Sequence, residues 1–271
     1  MSEAPAPPLQ QRKIAILPTL FTLGNLVCGF FAVVIASRVA APENSLGNMA
    51  SDTDNCVFSA GLIFLAMVFD ALDGYIARLS HSSSEFGAQL DSLCDVVSFG
   101  VAPAFLLVKM CPMIAHDYRQ PLWTIAAAYA VCAALRLARF NSETSDDDDH
   151  MEFRGLPSPA AAASIAGFAI MFYTLRKTDG LLYPANRIDA ALQILLPLFA
   201  ALVALLMASR VPYPHVVNQV FRGNRTGRHL VAILVSFVLI LVAWHYTVPL
   251  LCVTFVVYGP ARYVWEKWVE R

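Results

Sequence analysis

Apolar stretches of membrane-spanning length recur along the chain, at 17-40, 56-79, 88-111, 121-141, 157-176, 188-209, 228-246 and 247-266. Each is close to the ~20 residues that a helix needs to cross the hydrocarbon core of a bilayer. The pattern predicts an all-α, polytopic membrane protein of eight helices. A tail over 1-16, opening with a Pro-rich disordered run, precedes a six-helix core over 17-210. A basic linker over 211-227 and a two-helix extension over 228-271 follow, the last two helices joined by almost no loop near Tyr246 to Pro249.

Composition removes the soluble alternatives. Of 271 residues, 58% are hydrophobic and 14% charged, against ~45–50% and ~25% in ordinary globular domains. No long basic stripe points to nucleic acid. The cysteines Cys28, Cys56, Cys94, Cys111, Cys132 and Cys252 are scattered, mostly within apolar runs and without a C-x-x-C pair, so they read as small core residues. The apolar run after Arg12 and Lys13 is longer than the ~7–15 residues of a signal-peptide h-region, and no small-residue cleavage site follows it. It reads as a retained first helix.

Charge placement orients the bundle. With a cytoplasmic N-terminus, thirteen of the nineteen Lys and Arg fall in inner segments, while Arg38, Lys109, Arg119, Arg176, Lys177 and Arg187 fall in outer ones. The positive-inside rule then places both termini in the cytoplasm. The run Asp146 to Asp149 reads as a solvated inner loop. Ala160 to Ala163, Ala166 and Ala169 give the fifth helix a small face, suited to close packing in the bundle or in a dimer.

One region interrupts the apolar pattern with chemistry. Asp70-Ala-Leu-Asp73-Gly74-Tyr-Ile-Ala77-Arg78 is followed, after eight residues, by Gly87-Ala-Gln-Leu-Asp91-Ser-Leu-Cys-Asp95. An aspartate at the centre of a membrane helix costs ~2.5–3.5 kcal/mol on insertion scales, so Asp70 and Asp73 need a compensating partner. Residues three and four apart share a helix face. Asp70, Asp73, Gly74 and Ala77 therefore form one stripe, and Gly87, Asp91 and Asp95 a second. Two facing helices offer carboxylates to a common point, beside small residues where a bulky ligand can approach the backbone. All-oxygen sites of this kind suit Mg²⁺ or Mn²⁺, which bridge to phosphates instead of sitting in closed protein cages. The site asks for a phosphate-bearing substrate. Pairing with Arg78 explains one or two carboxylates, but hardly four on two coherent faces. A cation transporter would spread its acids through the membrane depth, and these gather at one end.

The spacing D-x2-D-G-x2-A-R-x8-G-x3-D-x3-D resembles the signature of the CDP-alcohol phosphotransferases at every fixed position. The resemblance implies an integral-membrane enzyme, commonly a homodimer, that displaces CMP from a CDP-linked lipid or alcohol with a hydroxyl nucleophile. Carried over by position, it makes Asp70, Asp73 and Asp91 ligands of two divalent cations, with Asp95 both a metal neighbour and the general base. Gly74, Ala77, Arg78 and Gly87 become the wall that receives the cytidine and its phosphates.

Within that family, four further stretches are similar to the bacterial membrane-type phosphatidylserine synthases. They are Thr22 to Phe30, Asp91 to Pro103, Leu135-Arg136-Leu-Ala-Arg139-Phe140-Asn141, and Gly155-Leu156-Pro157-Ser158-Pro159. The substrates this implies are CDP-diacylglycerol and L-serine, taken up among membrane lipids at the cytoplasmic face of the inner membrane. Relatives with a phosphorylated acceptor tend to carry a lysine directly after the fourth aspartate; here Val96 stands there. A phosphatidylglycerophosphate-type activity is the alternative within the family. Arg136 and Arg139, one turn apart, suit recognition of the serine carboxylate or a lipid phosphate, or anchoring by snorkelling. Asn25, an amide in an apolar helix, calls for a cytidine or a helix-bridging hydrogen bond. His81 and Ser82 to Ser84 read as interfacial loop.

Overall fold

The computed structural model describes residues 9–39, 49–79, 85–143, 153–177, 185–213 and 227–269. Helix α1 (Leu9–Ser37) and α2 (Met49–Leu79) form an antiparallel pair. The third span is composite: α3 (Glu85–Asp95), a π-helical segment (Val96–Val101) and α4 (Ala102–Met110). A short α5 (Pro112–Asp117) leads into α6 (Arg119–Glu143), then α7 (Ser158–Lys177), α8 (Ala185–Ala208) and α9 (Gly227–Val269). His81, Ser82 to Ser84 and Asp146 to Asp149 lie outside the described residues, as does most of the basic linker.

Polarity is inverted relative to a protein in water. Phe30, Phe58, Leu65, Val68, Leu198 and Leu205 point outward, whereas Ala32, Ala36, Ala60, Ala66, Ala133, Ala161 and Ala200 fill the interior. Lipid solvates the large side chains as well as a core would, while small residues let helix backbones approach. Alanine-rich α7 is the central wedge. It packs on α2, α8 and α9, and Ala161, Ala162, Ala166 and Ala169 are fully buried. Its small face serves the bundle.

Six stretches among the described residues are long and apolar enough to span: Leu17–Ser37, Asp54–Leu79, Phe86–Met110, Arg119–Ser142, Ala191–Ala208 and His245–Trp265. The expected division near Tyr246 to Pro249 is absent, because α9 continues unbroken for 43 residues, a length of about 65 Å. Pro249 and Pro260 both lie inside it. A proline removes one backbone donor, and a membrane helix tolerates that where neighbours satisfy the freed carbonyl.

Two such repairs are visible. Pro103 has no N–H for the carbonyl of Phe99 four residues earlier, and the buried Tyr129 hydroxyl donates to that oxygen at 3.3 Å. Pro260 likewise frees the carbonyl of Val256, to which Tyr213 Oη donates at 3.0 Å. Burial pushes the Tyr213 phenol up to about 12, so it remains a donor across the neutral range.

The end of the bundle that carries the acidic motif is closed by a two-stranded antiparallel pairing of β1 (Phe153–Arg154) with β2 (Pro212–Tyr213). Gly155 follows β1 at φ 93°, and its N–H donates to Val211 O at 2.9 Å. A Cβ there would sit 2.8 Å from the carbonyl oxygens of both Met207 and Ser209. Gly155→Ala should therefore cost more than about 1 kcal/mol. Tyr129→Phe, which orphans one buried carbonyl, should cost about 1 kcal/mol. Thermal unfolding in detergent measures both, with Gly155→Ala the lower-melting variant.

Candidate active site

The acidic motif spans the end of α2 and the body of α3. Helical spacing places Asp70 and Asp73 one turn apart on α2 and Asp91 and Asp95 one turn apart on α3. The fold brings one carboxylate oxygen each of Asp70, Asp91 and Asp95 within 4.8 Å of one another. Asp73 is not part of that trio, although it is buried at 4% exposure, as is Asp95 at 6%. Asp73 Oδ2 and Asp91 Oδ1 are buried without a hydrogen-bond partner. Arg78 is exposed; the groups that bond Asp73 are the Thr22 side chain and the Gly74 backbone.

Buried acceptors without donors cost about 1–3 kcal/mol each, more when charged. A group of carboxylate oxygens, some with no donor, is the donor set that a hard divalent cation satisfies. The residues present fit a metal ion.

Asn25 of α1 borders this cluster and is fully buried. Its Nδ2 donates to Asp95 Oδ1 at 2.9 Å, crossing from α1 to α3. Its Oδ1 is a third buried acceptor without a partner. One turn further along, Ser98 Oγ donates to the backbone oxygen of Asn25 at 3.0 Å. Gly29 permits that approach: a Cβ there would lie 2.8 Å from Ser98 Cα. Ser98 sits in the π-helical segment that begins directly after Asp95. Single π turns inside α-helices are frequent at functional sites.

The two arginines of α6 have protein partners. Arg136, 9% exposed, donates to Ser158 Oγ at the start of α7 at 2.5 Å and lies within electrostatic reach of Asp95 and Asp70. Arg139 donates to the carbonyl of Ala208, the last residue of α8, at 3.2 Å. That contact matches a cation at a helix C-terminus. Asn141 Nδ2 donates to Ser92 Oγ at 2.8 Å, tying α6 to α3. The space before Gly74 is open, since a Cβ there would meet only Arg78 Nη1, at 3.8 Å. Ala77 and Gly87 are both half-buried.

Ser98, Ser158, Gly29, Ser92 and Asn141 all lie in the stretches that carry the resemblance, which gave them no individual role. The signal was a polar residue in an apolar helix, which demands a partner. Sequence alone does not name that partner.

Fold and site together define an integral-membrane enzyme with a carboxylate cluster built for phosphate chemistry. The chain belongs to the CDP-alcohol phosphatidyltransferase family, whose sequence model matches residues 15–207. It is similar to the CDP-diacylglycerol–serine O-phosphatidyltransferase of Methanocaldococcus jannaschii, 32% identical over 254 residues that cover 93% of this chain and 96% of that one. The protein of the same name from Helicobacter pylori is 28% identical over 74% of this chain and 72% of its own. The archaetidylserine synthase of Methanothermobacter thermautotrophicus is 32% identical over 74% of this chain and 70% of its own.

The acceptor excess generates a metal-binding expectation. Purified protein should bind Mn²⁺ in a form that EDTA removes, read by the loss of free-ion signal in electron paramagnetic resonance. Asp91→Asn should weaken that binding by at least about tenfold, because an amide cannot supply the lost charge. Unchanged Mn²⁺ affinity in Asp91→Asn would place the ion elsewhere.

Proposed function

We propose that this chain transfers the phosphatidyl group of CDP-diacylglycerol to the hydroxyl of L-serine, giving phosphatidylserine and CMP. The observation that carries the reading is the convergence of Asp70, Asp91 and Asp95. It occurs in a chain that aligns over 93% of its length with a relative named for that activity. The acceptor assignment rests on the names of the relatives and on Val96, which offers no cation for a phosphorylated alcohol.

In this reading, residues 17-210 form the catalytic core, and Asp70, Asp73, Asp91 and Asp95 together hold two divalent cations, Mg²⁺ or Mn²⁺. Bound cations supply charge neutralisation of the pyrophosphate and polarisation of its P–O bonds. Gly74, Ala77, Arg78 and Gly87 wall the space for the cytidine and its phosphates, where missing or small side chains leave the backbone approachable. Asp95 takes the proton of the serine hydroxyl as that oxygen attacks the phosphorus bearing diacylglycerol. The bond from that phosphorus to the CMP oxygen breaks, and CMP leaves with the bonding electrons. Arg136, cationic and buried beside the carboxylates, suits the serine carboxylate. Arg139, engaged with the end of α8, is a weaker candidate for the acceptor or a lipid phosphate.

The enzyme sits in the cytoplasmic membrane as a homodimer, with its site facing the cytosol and its lipid donor arriving sideways through the bilayer. The excess of Lys and Arg on the motif's side supports that orientation. Val256 and Gly259 of α9 lie against Tyr213, on the motif's side of the bundle.

With labelled CDP-diacylglycerol and a panel of alcohols, L-serine should outpace glycerol 3-phosphate and inositol phosphate by orders of magnitude. Faster product from glycerol phosphate would overturn the serine assignment and leave the family unchanged. Asp95→Asn should lower turnover by ~10²–10⁴-fold while donor affinity moves only a few-fold. Asp70→Asn should lose metal-dependent donor binding as well. Near-normal turnover in Asp95→Asn would remove it as the base.

A further inference from the structure

A carboxylate that takes a proton must be turned so that one oxygen faces the attacking hydroxyl. Asp95 has one free torsion that sets this, the rotation of its carboxylate about Cβ–Cγ, and one visible restraint on it. That restraint is the 2.9 Å hydrogen bond from Asn25 Nδ2 to Asp95 Oδ1. Asn25 is itself immobilised. It is fully buried, its carbonyl receives Ser98 Oγ at 3.0 Å, and the closeness of Gly29 to Ser98 holds α1 against the π-helical segment.

We infer that Asn25 is the positioning residue of the proposed base: its amide pins Asp95 Oδ1 and thereby aims the other oxygen at the acceptor hydroxyl. The inference rests on the proposed function and deepens it, giving Asn25 a role on the acceptor half of the site in place of the cytidine contact that the sequence also allowed. The direction of the bond is part of the argument. A carboxylate only accepts, so the amide must present nitrogen to Asp95, which turns Asn25 Oδ1 away to the position where it is buried without a partner. A group that merely bridged two helices would satisfy both ends of its amide. This one gives its donor to the base and leaves its acceptor for whatever enters the site.

The test is a double-mutant cycle in the full-length protein in detergent. Asn25→Leu removes the donor while keeping the branched side-chain shape at the cost of added bulk, and Asn25→Ala removes it without new bulk. CDP-diacylglycerol affinity, kcat and the KM for serine are measured for each. Either variant alone should lower kcat by about 10²-fold, the cost of a reacting group misplaced by about 1 Å, with donor affinity within about threefold of wild type. Introduced into Asp95→Asn, the same change should cost less than about threefold further, because a residue that acts through Asp95 has nothing left to act on.

A purely structural role predicts multiplicative losses in the cycle, and a cytidine contact predicts weakened donor binding in step with kcat. Either result overturns the inference, as does a folded Asn25→Ala with kcat within threefold of wild type. Failure of both variants to fold would overturn it too, by making the amide a requirement of the bundle. The cycle is run with whichever alcohol wild type uses fastest. If that is not L-serine, the acceptor assignment falls and the cycle still decides the role of Asn25.

Discussion

Carboxylates crowded together at the end of a membrane bundle repel one another, and the rest of the structure is organised around that strain. At the 4.8 Å that bounds the separations among Asp70, Asp91 and Asp95, each pair of full charges repels by at least roughly 3 kcal/mol at an effective dielectric of ~20. Soluble proteins relieve such pressure with water or by moving side chains outward. Here Asp95 is nearly sealed, and two carboxylate oxygens of the motif have no donor. The arrangement makes chemical sense with cationic charge bound at its centre and a polyanionic ligand beside it. The scaffold must hold the acids together at other times, which requires rigid helices at short separation.

That rigidity comes from small residues and from repaired prolines. Small residues such as Gly29, Ala32 and Ala60 bring α1 close enough to its neighbours for Ser59 and Ser98 to donate directly to its carbonyls, at 2.9 and 3.0 Å. In lipid each such bond replaces an otherwise unsatisfied polar atom. Pro103 and Pro260 each free a carbonyl, and a buried tyrosine answers each one. The first repair stabilises the π-helical segment. That segment lets the third span present Asp91 and Asp95 to α2 and then turn Ser98, Phe99 and Gly100 into the core.

The spans and the acidic motif were legible in the sequence because a bilayer leaves few alternatives: a run of twenty apolar residues has little else to become, and four aspartates within such runs need a shared reason. Periodicity also placed Asp91 and Asp95 on one face. It did not foresee that Asp73 lies outside the tight trio, since which of two acids on a stripe meets the partner helix depends on crossing geometry. The unbroken α9 was missed for a different reason. Tyr246 to Pro249 looks like a boundary locally, yet Gly167 packs against Pro249, where an added Cβ would lie 3.1 Å from its Cα, and α9 runs straight past. The partners of Arg136 and Arg139, Ser158 and Ala208, were likewise beyond local pattern because they are set by how α7 and α8 return to α6.

The C-terminal helix lies beyond the family match at 15–207, yet it is not an appendage. Tyr213 lies in the predicted linker, and its ring meets Phe255 at 5.7 Å. A Cβ on Gly259 would collide with that ring. The same tyrosine terminates β2, whose partner β1 leads through Gly155 and Leu156 to Ser158, the residue that receives Arg136. A continuous chain of contacts thus runs from α9 to an arginine beside Asp95 and Asp70. None of these contacts touches the space before Gly74, where the donor wall is proposed. The extension therefore bears on the placement of Arg136, the residue proposed to meet the acceptor, through a route separate from the two helices that carry the motif.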